Sequence, residues 1–469
     1  MCVTHSWLEL LAPGRAIKLL VLLSAVLLYA MNTLLASTIA PSAIREFGGI
    51  AYVTWPTAAF LASSITAASA VGILTVRIGA RRGFIVAGVV FGLGALICAL
   101  SNGMAQLITG RFIQGAGGGL LSGLSYVLVR RSFPEGLWPR AFAAISGVWG
   151  IAVLLGPLIG GVFANAGSWR GAFYFVAIAA AVLSIVAAIA LERDPATSEA
   201  GQRVFPIGRL SLVCLSIAAI CAAQVTAQRW LVVALIVLAM AAVIAMLRRD
   251  RSAPGALFPS DAFSTRSVVG LGLWMALLLS VANDPFSLYG PLFLQELHGL
   301  SPLSAGYMVA LEALSWTLAA VIVTSYSQRR EFMLIIAGPL IMSAGLAGIA
   351  WRMPAGTIAQ LLAPIFCSGA GIGACWAFMA QRVMKAARAG EADVAASSVA
   401  TVQLYGFAFG GAIAGLIANL VGYSAGLTPQ ATRTAALWVP ASFVIATLAA
   451  AVAGARLVAL ERGRVQSTQ

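Results

Sequence analysis

Residues 171–191 read GAFYFVAIAAAVLSIVAAIAL, a run with no charged side chain and no proline. A helix needs about 20 predominantly apolar residues to cross the hydrocarbon core of a bilayer, and this run meets that length unaided. Its surroundings have the same character. The 469 residues are 61% hydrophobic and 9% charged, with a mean hydropathy of +0.96. Soluble domains carry about 25% charged residues. Too few polar side chains exist here to cover a water-facing surface, so lipid is the solvent for most of the chain.

Working outward, runs of spanning length lie near 17–40, 53–75, 83–101, 104–128, 141–164 and 171–191. Two shorter ones follow near 210–227 and 230–247, and six more near 267–294, 302–325, 332–351, 358–381, 395–420 and 434–457. The expected fold is therefore all-α and integral to the membrane, with fourteen transmembrane helices. Charge tests the count. With the N-terminus in the cytoplasm, inside segments hold 23 of the 29 basic residues, among them Arg77, Arg81, Arg82, Arg130, Arg131 and Arg140. Outside loops hold Arg45, Arg170, Arg229, Arg352 and Arg433, and Arg111 falls within a span. Missing one span would scramble this alternation for every later loop, so count and orientation support each other. Both termini are expected in the cytoplasm of a multi-pass protein of the plasma membrane, in bacteria the inner membrane.

The net charge of +14 is thus explained by topology rather than by nucleic acid. Cys98, Cys214, Cys221, Cys367 and Cys375 lie in apolar runs, where structural disulfides are not expected. The first apolar run is longer than a signal-peptide core and reads as a retained span.

Two glycine-rich stretches repeat. Phe112-Ile-Gln-Gly-Ala-Gly-Gly-Gly119 in the fourth span matches Phe366-Cys-Ser-Gly-Ala-Gly-Ile-Gly373 in the twelfth, at an offset of 254. The same offset carries Gly156 to Gly410, Gly161 to Gly415 and Arg131 to Lys385. An even number of spans separates the copies, so both halves point the same way, as in transporters built from parallel repeats. Small residues spaced as GxxxG, such as Gly156 with Gly160 and Gly406 with Gly410, let helices approach closely in lipid. That closeness serves static packing or a sliding, gating surface.

Several motifs together resemble the major facilitator superfamily, specifically its fourteen-span drug:proton antiporter branch. Gly72-Ile-Leu-Thr-Val76-Arg77-Ile-Gly79-Ala-Arg81-Arg82 resembles the gating loop after the second span. Arg111-Phe-Ile-Gln114-Gly115 resembles the motif of the fourth span, and Gly156-Pro157-Leu-Ile-Gly160-Gly161 the antiporter signature of the fifth. Trp169-Arg170 and Leu300-Ser-Pro-Leu-Ser-Ala-Gly306 are also similar to segments of that branch. The resemblance implies two six-helix bundles, at 17–195 and 267–457. An inserted pair of spans with its linkers occupies 196–266, and cytoplasmic ends occupy 1–16 and 458–469. It further implies gating roles for Gly72, Arg77, Gly79, Arg81, Gly156, Pro157, Gly160 and Gly161. Two positions depart from it: Val76 stands where the family usually has Asp, and Asn32 where many relatives have an acid.

Ionisable side chains inside spans cost about 2.5–3.5 kcal/mol on insertion scales, so they mark function or a partner. Glu312 lies mid-span, and a carboxyl shielded from water can alternate between neutral and charged as access changes sides. Trp316, four residues on, shares its face. Asp284 precedes Pro285, where the helix is expected to break. Glu312 and Asp284 are the candidate proton-coupling carboxylates, and the resemblance implies a part in proton coupling for Arg111, with holding the carbonyls of neighbouring helices as its structural alternative. Asn32, Gln114, Trp316 and Gln403 are the candidate substrate-binding residues, with helix-to-helix bonding as the plainer role for the amides.

No GxxxxGK[ST] loop is present, and the two histidines, His5 and His298, form no zinc motif. Neither enzymatic activity, a metal nor a cofactor is expected. The expected partners are a small-molecule substrate, protons and the bilayer, with the chain a monomer. The leading reading is proton-coupled efflux of small amphipathic compounds by alternating access. The alternatives are a transporter of one metabolite without proton antiport and a non-transporting receptor of the same fold.

Overall fold

The computed structural model describes residues 7–12, 14–48, 52–134, 137–192, 207–226, 228–251, 257–323, 328–388, 391–423 and 428–467. The linker at 196–206 lies outside these residues. So do the side-chain environments of Gly72, Val76, Arg77, Arg131 and Arg140. Among the described residues every regular element is helical: a short 3-10 turn at Trp7–Leu11 and thirteen α-helices.

They are α1 (Arg15–Phe47), α2 (Trp55–Ala99), α3 (Met104–Ser132), α4 (Trp138–Asn165), α5 (Trp169–Ala190), α6 (Ile207–Gln224) and α7 (Arg229–Arg251). The rest are α8 (Val268–His298), α9 (Pro302–Val323), α10 (Gln328–Arg352), α11 (Ile358–Ala386), α12 (Ala392–Leu420) and α13 (Pro429–Ser467). Each of the fourteen expected stretches falls on a helix, the second and third both on α2. Among the described residues, eleven helical segments are long and apolar enough to cross a membrane by length and composition. The first half of α2, α3 with its glycines and Arg111, and the short α6 are not among them.

The join inside α2 is Gly79, at φ 78° and ψ 166°. A residue with a Cβ rarely adopts that conformation, so glycine is what lets two spans follow each other without a loop. Other boundaries differ from expectation. α1 continues past Pro41 to Phe47, and α13 runs to Ser467, so most of the expected tail is helix.

The break expected in α8 at Pro285 does not occur. The helix is continuous through Pro285 and Pro291. A proline leaves the carbonyl four residues earlier without its donor, here that of Val281, and Gly410 of α12 covers that oxygen so closely that no Cβ would fit. The freed group is met by a neighbouring helix instead of by unwinding.

α5 shows how such a chain sorts its surfaces. Trp169, Ala172, Phe173, Val176, Ala180, Leu183 and Ala187 are buried. Ile178, Val182, Ile185 and Ile189 form an exposed stripe, with Ile189 82% accessible. Aliphatic side chains on both faces suit a helix with protein on one side and lipid on the other.

The helices gather into two compact units. The first holds Met1–Gly48 with Trp55–Ile207, the second Gly49–Thr54 with Gly208–Gln469. In the first, α3 packs on both halves of α2, α1 on α4 and α5, and α2 on α5. In the second, α11 packs on α9 and α10, α8 on α12 and α13, and α10 on α13. The pattern is the same, and glycines set it. Gly115 lies on the backbone of Phe60 and Gly119 on that of Ser64; Gly369 lies on that of Glu312 and Gly373 on that of Trp316. Gly117 meets Phe91, and Gly371 meets Met342. The repeat thus extends to the partner helices, where Glu312 takes the place of Phe60 by packing although the offset there is 252, while on the glycine helices the offset of 254 sets Ser368 in the place of Gln114.

In the inserted pair, Arg209 of α6 bonds Asp250 of α7 at 2.5 Å, and Asp250 also accepts from the amides of Leu257 and Phe258.

Candidate functional site

The first unit brings three of the expected residues together. Arg111 on α3 is 2% exposed. Its Nη1 donates to Gln114 Oε1 at 2.6 Å, and Gln114 Nε2 donates to Asn32 Oδ1 on α1 at 3.0 Å. The spacing of Arg111 and Gln114 puts them on one face of α3. Phe60 of α2 offers its ring to the guanidinium at 4.2 Å from the centroid, a cation–π contact that offsets part of the cost of burying the charge. Tyr29 stacks on Phe60, with centroids 5.7 Å apart, and meets Trp149 edge-on at 6.2 Å. Ser64 donates to the Tyr29 hydroxyl at 3.4 Å. Arg111 Nε and Asn32 Nδ2 are buried without an acceptor.

The second unit buries an acid instead. Glu312 on α9 is 3% exposed, and Ser368 on α11 donates to its Oε1 at 2.8 Å. No described basic side chain pairs with it. Asp284 is half-buried on α8. Its Oδ2 lacks a partner, as does Oδ1 of the adjacent Asn283. Trp316 pairs with Trp376 at 5.8 Å between centroids, and Gln403 is half-buried on α12.

Sequence reasoning missed Ser368, Phe60 and Asn283. The internal repeat could have supplied Ser368, since the offset that pairs the glycines sets it opposite Gln114. Arg111 was read as the only cation within the spans, yet Arg382, one residue past the expected twelfth span, is buried as well. It pairs with Glu331 at 2.6 Å and Glu461 at 3.0 Å, tying α11 to α10 and α13.

The other expected conformational residues lie apart from these clusters. Gly79 forms the kink in α2, and Arg81 just after it donates to the Ala188 carbonyl of α5. Gly156 and Gly160 of α4 rest on Met31, Leu34 and Leu35 of α1, and Pro157 and Gly161 sit in the same stretch of α4. Near the other end of α1, Glu46 accepts from Trp169 Nε1 at 2.7 Å and Arg170 Nη1 at 2.6 Å, while Arg170 Nη2 reaches the Ser101 carbonyl.

An all-helical membrane chain whose two units repeat one packing scheme, with a buried arginine on α3 of one and a buried glutamate on α9 of the other, has the architecture of a solute carrier. The sequence model of the Major Facilitator Superfamily matches residues 21–411, and the chain belongs to that family of membrane transporters. The protein named "Probable multidrug-efflux transporter Rv1634" of Mycobacterium tuberculosis is 33% identical over 425 residues, covering 88% of this chain and 89% of that one. "Multidrug efflux pump SdrM" of Staphylococcus aureus is 30% identical over 227 residues, covering 48% and 50%. Among solved structures, a bacterial homolog of the human lysosomal transporter Spinster, in an inward-facing and unoccupied conformation, superposes with a TM-score of 0.69 at 12% identity. It covers 96% of this chain and 98% of its own. The nucleoside transporter NupG gives 0.68 at 12% identity, covering 94% and 99%. These two likenesses bear on the fold.

Proposed function

We propose that this transporter exports small amphipathic compounds in exchange for protons, by alternating access. It would act as a monomer in the plasma membrane, with both termini in the cytoplasm. The observation that carries the reading is Glu312: a buried mid-helix carboxyl whose described partner is the Ser368 hydroxyl and not a cation. Such a group can take up a proton when one side of the membrane opens to it and release it when the other does. Asp284 acts beside it, and Trp316 with Trp376 offers ring surface to the cargo. The names of the relatives support efflux of multiple drugs as the direction and cargo.

In this reading residues 17–195 and 267–457 are the two moving bundles and 196–266 is the insert. Gly72, Arg77, Gly79 and Arg81 gate one end, and the Gly156–Gly161 stretch of α4 slides on α1. Arg111 modulates the proton site, while Asn32, Gln114 and Gln403 contact substrate.

The test is Glu312→Gln in proteoliposomes with an imposed pH gradient. Loss of gradient-driven drug flux, with insertion unchanged, is expected; undiminished flux would remove Glu312 from the mechanism. A second reading, transport of one metabolite without protons, is favoured by the amide of Asn32, which cannot release a proton. It predicts the same flux with and without the gradient in the unaltered chain.

A further inference from the structure

The cluster around Arg111 has more donors than acceptors, and chemistry fixes which way its bonds run. Arginine only donates. Gln114 must therefore turn its oxygen to Arg111, which leaves its NH2 for Asn32, and Asn32 must answer with its own oxygen. The amide orientations follow from the guanidinium. The outcome is two buried donors, Arg111 Nε and Asn32 Nδ2, with nothing to receive them. What the cluster lacks is an acceptor.

Among the described residues it also lacks a negative charge. The acidic residues in the sequence of this unit are Glu9, Glu46, Glu135, Glu192, Asp194 and Glu199. Glu46 is bound to Arg170 and Glu192 to Lys18, and none of the six lies between residues 47 and 134, where α2 and most of α3 run. The Phe60 face and the Gln114 oxygen are the described compensation for a fully enclosed cation. A buried cation left in that state is costly, and one small anion would supply both the missing charge and the missing acceptor.

We propose that Arg111 and Asn32, bridged by Gln114, form an anion-binding site in the first unit. The ligand is a monovalent group that accepts from both a guanidinium and an amide, either the carboxylate of a transported compound or a small inorganic anion. This deepens the assignment of Asn32 and Gln114 as substrate contacts and rests on it only for the source of the anion. Binding is measured without transport.

The experiment follows thermal unfolding of the full-length protein in detergent during titration with sodium chloride and, separately, sodium benzoate. Sodium HEPES holds the ionic strength constant. Asn32→Asp is the decisive variant, because it places an internal carboxylate on the same network. Expected are a saturable rise in the unfolding midpoint of the unaltered protein and its loss in Asn32→Asp, which starts from a higher midpoint because its cation is already paired. A rise with benzoate alone assigns the site to a substrate carboxylate; a rise with chloride as well assigns it to a free anion. Arg111→Gln should also lose the response, and if that chain does not fold, Asn32→Asp still decides. No saturable rise with either anion, or the same rise in Asn32→Asp, overturns the proposal. Flux through Glu312→Gln would overturn the proton reading and leave this result standing.

Discussion

Gly410 on α12 covers the carbonyl oxygen of Val281 on α8, the oxygen that Pro285 deprives of its helical donor. The same pairing occurs once more in this unit: Pro339 frees the Ile335 carbonyl of α10, and Gly454 of α13 lies against it. In lipid a bare carbonyl finds no water, so the neighbouring helix must come close enough to cover it, and a Cα–H group at contact distance is a weak donor for it. Proline opens the ladder, and glycine closes over the opening.

Gly410→Val should therefore damage the second unit more than an ordinary valine in a helix would. The added side chain pushes α12 off α8 and re-exposes the Val281 oxygen. Overpacking of this kind costs about 1–3 kcal/mol. Thermal unfolding in detergent should show a lowered midpoint; an unchanged midpoint would mean that the helices do not touch there.

Ser368→Ala should displace the pH profile of transport. The Ser368 hydroxyl donates to Glu312, and a bond to the charged form favours that form. Removing it changes the balance between the two forms, so the midpoint of the profile moves. A hydrogen bond to a charged group contributes about 1.5–3 kcal/mol, which corresponds to a move of about one to two pH units. Ser368→Thr retains a hydroxyl and should restore the profile. If alanine and threonine behave alike, the hydroxyl has no part in coupling.

Arg382→Ala should be among the most destabilising substitutions in the second unit. It removes the guanidinium that Glu331 and Glu461 both approach to within 3.0 Å. Breaking a buried pair by removing one partner costs about 3–5 kcal/mol. Glu461→Gln leaves the Arg382–Glu331 bond in place and should cost less. Midpoints from thermal unfolding rank the two, and the opposite order would argue against the triad.

Much of this protein is legible in its sequence because lipid imposes a coarse code. A span such as 171–191 needs little beyond length and apolarity, and each expected stretch falls on a helix. What the code leaves out is how backbone groups are satisfied. Pro285 read alone predicts a broken helix; the remedy, Gly410, is 125 residues away and visible only once the chain is folded. The buried ions were found because charge is rare here, and the Asn32–Gln114–Arg111 chain joins residues already singled out. Ser368 escaped because serine is common in such helices and carries no charge. Gly79 belongs to a loop motif in the sequence, and that the loop shrinks to a single positive-φ join between two abutting helices has no sequence signal beyond glycine itself.

The two units repeat one packing scheme around different ionisable groups, Arg111 in one and Glu312 in the other. If the scheme arose by duplication, the copies have since ceased to be interchangeable. A chimera made of two first halves would keep its glycine ladders and contain two enclosed guanidinium groups but no enclosed carboxyl. It would be a carrier scaffold with nothing to load a proton onto. The packing is repeated here, and the polarity is not.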